Sequence, residues 1–204
     1  MHPNRAFHWD DRAAMGALIR DIGFGMVFAA TPDGPRVAHV PLFLTDDGAV
    51  QWHLARGNAL TRHLEGTDAL IVVNGPDAYV SPDDYQLPNQ VPTWNYLSVE
   101  LEGPVRRMDD NGLHALLTDL SAAGEASIAG KTPWTMEGTD AAHIAALKRG
   151  IVGFEMEIRG WRGTAKLGQN KPEAARHAAA DALDARGRRA VAHLMRQWQD
   201  GGAA

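Results

Sequence analysis

Four short stretches of this chain place polar or aromatic residues where a strand would otherwise be apolar. His53-Leu54-Ala55-Arg56-Gly57-Asn58-Ala59 ends a strand-like run with a cation, a glycine and an amide. It leads into a helix-like stretch from Leu60 to Leu64. Free amides at such a start, with Arg56 beside them, suit a phosphate monoester. Thr93-Trp94-Asn95-Tyr96 supplies flat faces and hydrogen-bonding groups. Lys166-Leu167-Gly168-Gln169-Asn170 adds a cation and two amides. His39-Val40-Pro41 puts a proline in a strand pattern, which removes a ladder N–H and marks an edge or a face turned away from a neighbour. Taken singly, each has a plainer reading: Arg56 as a surface charge, Trp94 and Tyr96 as core, Lys166 to Asn170 as a polar cap loop. Taken together they suit a phosphorylated, planar, polar-edged ligand. A flavin mononucleotide has those three parts.

Other chemistries find no footing. Gly23-Phe24-Gly25-Met26-Val27-Phe28 begins like a dinucleotide fingerprint, but the third glycine is missing and the motif precedes a strand. Residues 125–132, Glu-Ala-Ser-Ile-Ala-Gly-Lys-Thr, miss the P-loop pattern by placing Glu125 where its first glycine belongs. The nine histidines show no metal-ligand spacing, so no metal is expected. None of the four serines sits in a G-x-S-x-G turn. His39 and His53 lie on strand candidates that the sequence makes adjacent, and each reads as a structural histidine. No catalytic residue is assigned.

The elements that must position these residues are mostly strands. Segments 25–31, 36–44, 49–55, 69–80, 94–108 and 151–161 read as six strands. In 36–44 the inward face is Ala38, Val40, Leu42 and Leu44, and in 49–55 it is Val50, Trp52 and Leu54. Segment 69–80 is nearly continuous in apolar residues and reads as buried on both faces. Leu97, Val99, Leu101 and Val105 share a face, as do Val152, Phe154, Met156 and Ile158. Thr31-Pro32-Asp33-Gly34-Pro35 and Asp46-Asp47-Gly48 are turns. Helices are predicted after Asp10 or Asp11, from about Asn111 to Leu120, and from a Thr139 cap to Gly150. Two more run from about Pro172 to Leu183 and on to about Trp198, broken near Gly187. Antiparallel strands with helices at the edges predict a closed or half-closed barrel, which removes exposed sheet edges.

With 204 residues, 45% hydrophobic and 22% charged, the chain can bury one substantial core. The net charge of −5 gives no global attraction to nucleic acid or anionic lipid. Cysteine is absent, which excludes disulfides, thiolate nucleophiles and sulfur metal sites. The N-terminus lacks an apolar signal region and no run spans a bilayer, so a soluble, cytoplasmic protein is expected.

The chain resembles the PaiB-type family of FMN-binding negative transcriptional regulators over about residues 1–171. The resemblance is carried by His39-Val-Pro-Leu42, His53-Leu-Ala-Arg-Gly-Asn58, Asn74-Gly-Pro-Asp-Ala-Tyr-Val-Ser81, Val91-Pro-Thr-Trp-Asn-Tyr96, Gly150-Ile-Val-Gly-Phe154 and Lys166-Leu-Gly-Gln-Asn170. It departs at Gly168, where the family commonly has Ser, and at Ala59, where it commonly has Pro. The resemblance implies a mainly β fold with peripheral helices: a six-stranded antiparallel Greek-key split barrel of the FMN-binding type over residues 1–170, with a helical tail at 171–204. It also implies a homodimer with FMN at the interface. Arg56 and Asn58 would take the phosphate, the Val40-Pro41 strand would flank the ring, and His39 and His53 count among the FMN-binding residues. Trp94, Asn95, Tyr96, Lys166, Gln169 and Asn170 would complete the pocket.

Three functions follow as expectations. One is a flavin-binding regulator. Another is an FMN-dependent oxidoreductase, such as a flavin reductase or a pyridoxamine-phosphate-oxidase-like enzyme, with no direct DNA binding. The third is haem binding through His39 or His53, which only residue type supports. From Lys171 to Gln199 six cations (Lys171, Arg176, Arg186, Arg188, Arg189, Arg196) face three acids (Glu173, Asp181, Asp184), an excess that could touch DNA phosphates or form a solvated helix face.

Overall fold

A computed structural model describes residues 2–198. Gln199, the far end of the predicted tail and Met1 lie outside the described residues. The strands, in chain order, are β1 (His8–Trp9), β2 (Phe24–Thr31), β3 (Gly34–Pro41), β4 (Phe43–Leu44), β5 (Ala49–Ala55), β6 (Asp68–Val80), β7 (Thr93–Arg107), β8 (Ile151–Glu157) and β9 (Gly160–Lys166). The helices are α1 (Arg12–Ile22), α2 (Asp110–Ala126), α3 (Ala141–Lys148), α4 (Glu173–Ala185) and α5 (Arg189–Gln197). The hydrogen-bonded order is β3-β2-β6-β7-β8-β5-β4, with β9 beside β7 and β1 beside β9. Every described register is antiparallel. No helix among the described residues is long and apolar enough to cross a membrane.

The chain forms two compact units. One comprises Ile19–Val72 and Leu101–Gly160. Its β2–β3 hairpin pairs Phe24 with Pro41 at one end and Thr31 with Gly34 at the other. Gly34 takes φ +95°, the left-handed region the tight turn requires. β5 and β8 pair from Ala49 with Glu157 to Ala55 with Ile151. The alternation read from sequence is the alternation of burial: Val50, Trp52 and Leu54 are buried, as are Ala38, Val40, Leu42 and Leu44. Trp52 stacks on Phe154 at 5.9 Å between ring centroids. Asp109 caps α2 by accepting from the Gly112 N–H at 2.7 Å.

The other unit comprises Met1–Leu18, Val73–Glu100 and Trp161–Ala204. Here β1 pairs with β9, Trp9 opposite Gly163. A Cβ on Gly163 would lie 2.4 Å from the Trp9 carbonyl oxygen, so only glycine lets these strands approach. Alanines 175, 179 and 180 and Leu183 of α4, with Val191, Ala192 and Met195 of α5, are buried.

Several local expectations need correction. The predicted strand 151–161 is two strands, because β8 stops at Glu157 and the Arg159 N–H bonds to the Glu102 carbonyl at 2.9 Å before β9 begins. The predicted strand 36–44 breaks at Leu42, whose N–H bonds to the Gly23 carbonyl at 2.9 Å. Segment 69–80 is not buried on both faces: Leu70 and Val72 are half-buried between buried Ala69, Ile71 and Val73. Asp140, not Thr139, caps α3, accepting from the His143 N–H at 2.7 Å. Residues 60–64 form no helix, and 60–63 are turns. β3 and β5, which carry His39 and His53, are not hydrogen-bonded neighbours, but the two strands pack against each other.

Candidate functional site

Six of the residues singled out in the sequence fall in each unit. His39, Val40, Pro41, His53, Arg56 and Asn58 belong to the unit built on β2, β3, β5 and β8. Trp94, Asn95, Tyr96, Lys166, Gln169 and Asn170 belong to the other.

Arg56 follows the last residue of β5. Its N–H bonds to the Gly150 carbonyl at 2.8 Å, and its Nε donates to the Arg149 carbonyl at 3.0 Å. Nη2 reaches the Ile151 carbonyl at 3.4 Å. Two carbonyls thus hold an exposed guanidinium at the α3–β8 junction, and a third anchors its main chain. Its Nη1 has no partner among the described residues. Asn58 turns inward: its Oδ1 accepts from the Leu60 N–H at 2.9 Å. That bond and the fully buried Leu60 and Leu64 hold the turns after Arg56 in place. Arg56 also lines a cavity of about 780 Å³ beside α2, α3 and β8.

Val40 is buried, Pro41 half-buried and His39 exposed. The His39 ring stacks on exposed Phe24 at 6.5 Å and 17°. His53 is half-buried, and its Nδ1 is buried without a hydrogen-bond partner. Burial without a countercharge pushes the His53 imidazole below its ordinary 6.5.

In the other unit, Trp94 opens β7 with 54% of its surface exposed, and it meets the equally open Tyr79 edge to face at 6.2 Å. These rings are not core. Asn95 is the reverse, at 1% exposure. Its Nδ2 donates to the Met195 sulfur at 3.3 Å, and it shares a hydrogen bond with the Tyr85 hydroxyl. Its amide is therefore spent inside the unit. Tyr96 is half-buried. Lys166, ending β9, donates from Nζ to the Thr93 Oγ1 at 2.6 Å and lies 5.8 Å from the Phe7 ring centroid. Burial lowers the Lys166 pKa below its ordinary 10.5. Gln169 braces its own loop, accepting from the Leu167 N–H at 2.8 Å and donating to the Ala165 carbonyl at 2.6 Å. Asn170 is exposed.

The structure thus brings Lys166, Thr93 and the Trp94–Tyr79 ring pair to the β7 and β9 ends of one unit. It leaves Arg56 and His53 in the other. Tyr79 and Thr93 were not among the residues assigned from sequence. Thr93 lay inside the quoted motif, and only its contact with Lys166 distinguishes it. Among the described residues no cluster of His, Asp and Glu could hold a metal ion.

The tail cations are mostly engaged. Arg186 pairs with Asp84 at 2.5 Å, Arg196 with Asp181 at 2.7 Å and Asp184 at 3.2 Å, and Arg189 lies 3.9 Å from Asp184. Arg176 Nη1 donates to the Trp198 carbonyl at 3.0 Å, and Lys171 Nζ donates to the Gln90 Oε1 at 2.6 Å. Of the six, Arg188 is the one whose side chain has no described contact.

Comparison with known proteins agrees with this architecture. A protein from Bacillus subtilis (strain 168), "Protease synthase and sporulation protein PAI 2", is 29% identical over 160 residues, covering 76% of each chain. The flavocytochrome Anf3 from Azotobacter vinelandii superposes with a TM-score of 0.61 at 18% identity, over 80% of this chain and 72% of that one. The FAD and heme binding protein from Mycobacterium smegmatis gives a TM-score of 0.58 at 16% identity, over 78% and 73%. These likenesses place the chain among the flavin-type split barrels, as the strand pattern and its motifs predict. Residues 1–160 match the family described as "Putative FMN-binding domain", and the chain belongs to that FMN-binding family.

Proposed function

We propose that the protein works as a homodimeric FMN-dependent oxidoreductase, and that its C-terminal helices do not read DNA. The observation that carries this reading is the engagement of the tail cations. A DNA-binding surface needs cations free to displace counterions from phosphates. Here Arg186, Arg189 and Arg196 already face carboxylates, and Arg176 and Lys171 are held by a carbonyl and an amide.

Each of the two units carries residues that suit one part of FMN. Arg56, fixed by backbone carbonyls with Nη1 to spare, suits the phosphate, with Asn58 shaping the adjoining turn. Trp94, unusually exposed for so large a ring, suits a flat heterocycle. Lys166 offers a positive donor beside it, and Tyr96, Gln169 and Asn170 shape the surrounding β7 and β9 ends. Val40 and Pro41 would flank the ring. The His53 Nδ1, buried and unpartnered, is a polar atom that a ligand's edge would satisfy. Asn95 acts behind the site by tying β7 to α5. When bound, FMN supplies the redox chemistry, and these residues need only hold and tune it.

A second reading, a transcriptional regulator, is favoured by the relationship to the PAI 2 protein and by the family resemblance. Two measurements separate the readings. The purified protein should show a flavin absorption band, run at the mass of two chains, and bleach under NADH or NADPH. A DNA complex that survives raised salt and sequence competition would instead support the regulator and refute the first reading.

A further inference from the structure

We propose that the cavity beside α3, whose lining includes Arg56, binds a small organic anion with a compact apolar body in addition to the flavin. The inference rests on the flavin reading only through Arg56, which that reading gives to the FMN phosphate. It otherwise rests on the cavity's size, its unpaired charges and an unusual helix.

The cavity, about 780 Å³, falls within the 300–1,000 Å³ usual for ligand sites. Its floor is apolar, with Leu113 and Val152 both buried. Its wall is α3, an eight-residue helix with no buried residue. Ile144 on this wall is only half-buried although it lines the cavity. A short helix gains most of its stability from packing an apolar face, and α3 leaves that face toward a space. A ligand's apolar body would complete the packing.

The charges around this floor are asymmetric in availability. Arg107, Lys148 and Arg149 line the cavity, and their side chains have no partner among the described residues. The Arg107 backbone N–H donates to Glu65 Oε2 at 2.5 Å, which leaves its guanidinium unengaged. Of the three acids on the lining two are occupied, and Asp110 alone has no described partner. Asp109 caps α2 through the Gly112 N–H. Glu137 is held below its ordinary carboxylate range by hydrogen bonds from its own backbone and from Thr135. Unpaired cations above an apolar floor select a molecule with one anionic end and one or two rings or a short chain behind it. A neutral ring would lack partners for the cations, and a bare anion would leave Ile144 and Leu113 unpacked.

The test uses the FMN-saturated protein and 1-naphthyl phosphate, followed by fluorescence anisotropy, with neutral 1-naphthol and inorganic phosphate as parallel probes. Naphthyl phosphate is expected to saturate one site at least tenfold more tightly than either half. The double variant Arg107→Gln, Lys148→Gln is expected to weaken it about tenfold while FMN affinity stays unchanged. Ile144→Asp should also weaken it, and circular dichroism checks that both variants fold. Three results would overturn the proposal. One is naphthyl phosphate failing to saturate. Another is unchanged probe affinity in both variants. The last is release of FMN in step with probe binding, which would assign the cavity to the flavin phosphate instead.

Discussion

The Lys166 ammonium donates to the Thr93 hydroxyl at 2.6 Å, so the end of β9 and the start of β7 share a half-buried positive charge. Burial depresses this lysine's pKa. A lysine with a depressed folded pKa binds its proton less readily folded than unfolded, so below that pKa the charge costs stability. Lys166→Met is therefore expected to leave the melting temperature unchanged or raise it. The proposed flavin contact predicts about a tenfold loss of FMN affinity in the same variant, the value of one charge-assisted hydrogen bond of roughly 1.5 kcal/mol. Thermal melts and flavin fluorescence titration check the two halves, and a stable variant with undiminished affinity would remove Lys166 from the site.

Arg56→Ala separates phosphate from ring. FMN affinity is expected to fall by tenfold or more, since charge-assisted bonds contribute about 1.5–3 kcal/mol. Riboflavin, which lacks the phosphate, should be little affected. Paired titrations of both ligands decide it, and equal losses would show that Arg56 does not read the phosphate.

Trp94→Ala should weaken FMN and riboflavin alike, because both carry the ring system. More than half of Trp94 is exposed, so urea denaturation should register a stability change of only about 0.5 kcal/mol. A large stability loss with unchanged flavin affinity would make Trp94 structural.

Gly103 tests the packing of β7. A Cβ there would lie 1.8 Å from the Glu157 carbonyl oxygen and 3.2 Å from Met156 Cγ. Backbone cannot yield as a flexible side chain can. Gly103→Ala is expected to destabilise by about 3 kcal/mol or more, read from the urea midpoint.

His53 gives the pH dependence. Its folded pKa lies below the unfolded value of 6.5. Neutral His53 costs nothing above that value. As pH falls below 6.5 the unfolded chain takes up the proton first, so stability falls until the folded imidazole also titrates. The limiting slope is about 1.4 kcal/mol per pH unit. His53→Gln should flatten the decline between pH 6.5 and 5, as measured by urea midpoints at each pH; an unchanged decline would mean other groups carry it.

Strand faces were legible because the side-chain period of two is local. Val50, Trp52 and Leu54 reveal their burial by alternation alone, and Gly23 reveals the end of α1. Residues 69–80 were less legible. Buried positions run Ala69, Ile71 and Val73, then shift by one to Ala78 and Val80. The shift falls around Gly75 and Pro76, where a Cβ on Gly75 would meet Leu97 Cβ at 2.7 Å. It turns Tyr79 outward to meet Trp94. No periodic reading of the segment contains that change of face.

By itself the amino-acid sequence determined the strand segments, most of their inward faces, the helix stops and the six motifs of an FMN-binding family, because each depends on neighbours within a few residues. Tertiary structure alone decided that Asn95 is buried against Met195 while Trp94 beside it is open, and that the last predicted strand is two. It alone decided that the tail arginines face Asp84, Asp181 and Asp184. Those outcomes depend on contacts between residues up to about a hundred positions apart, where the energy of burying or pairing a group is set by partners that local pattern does not name.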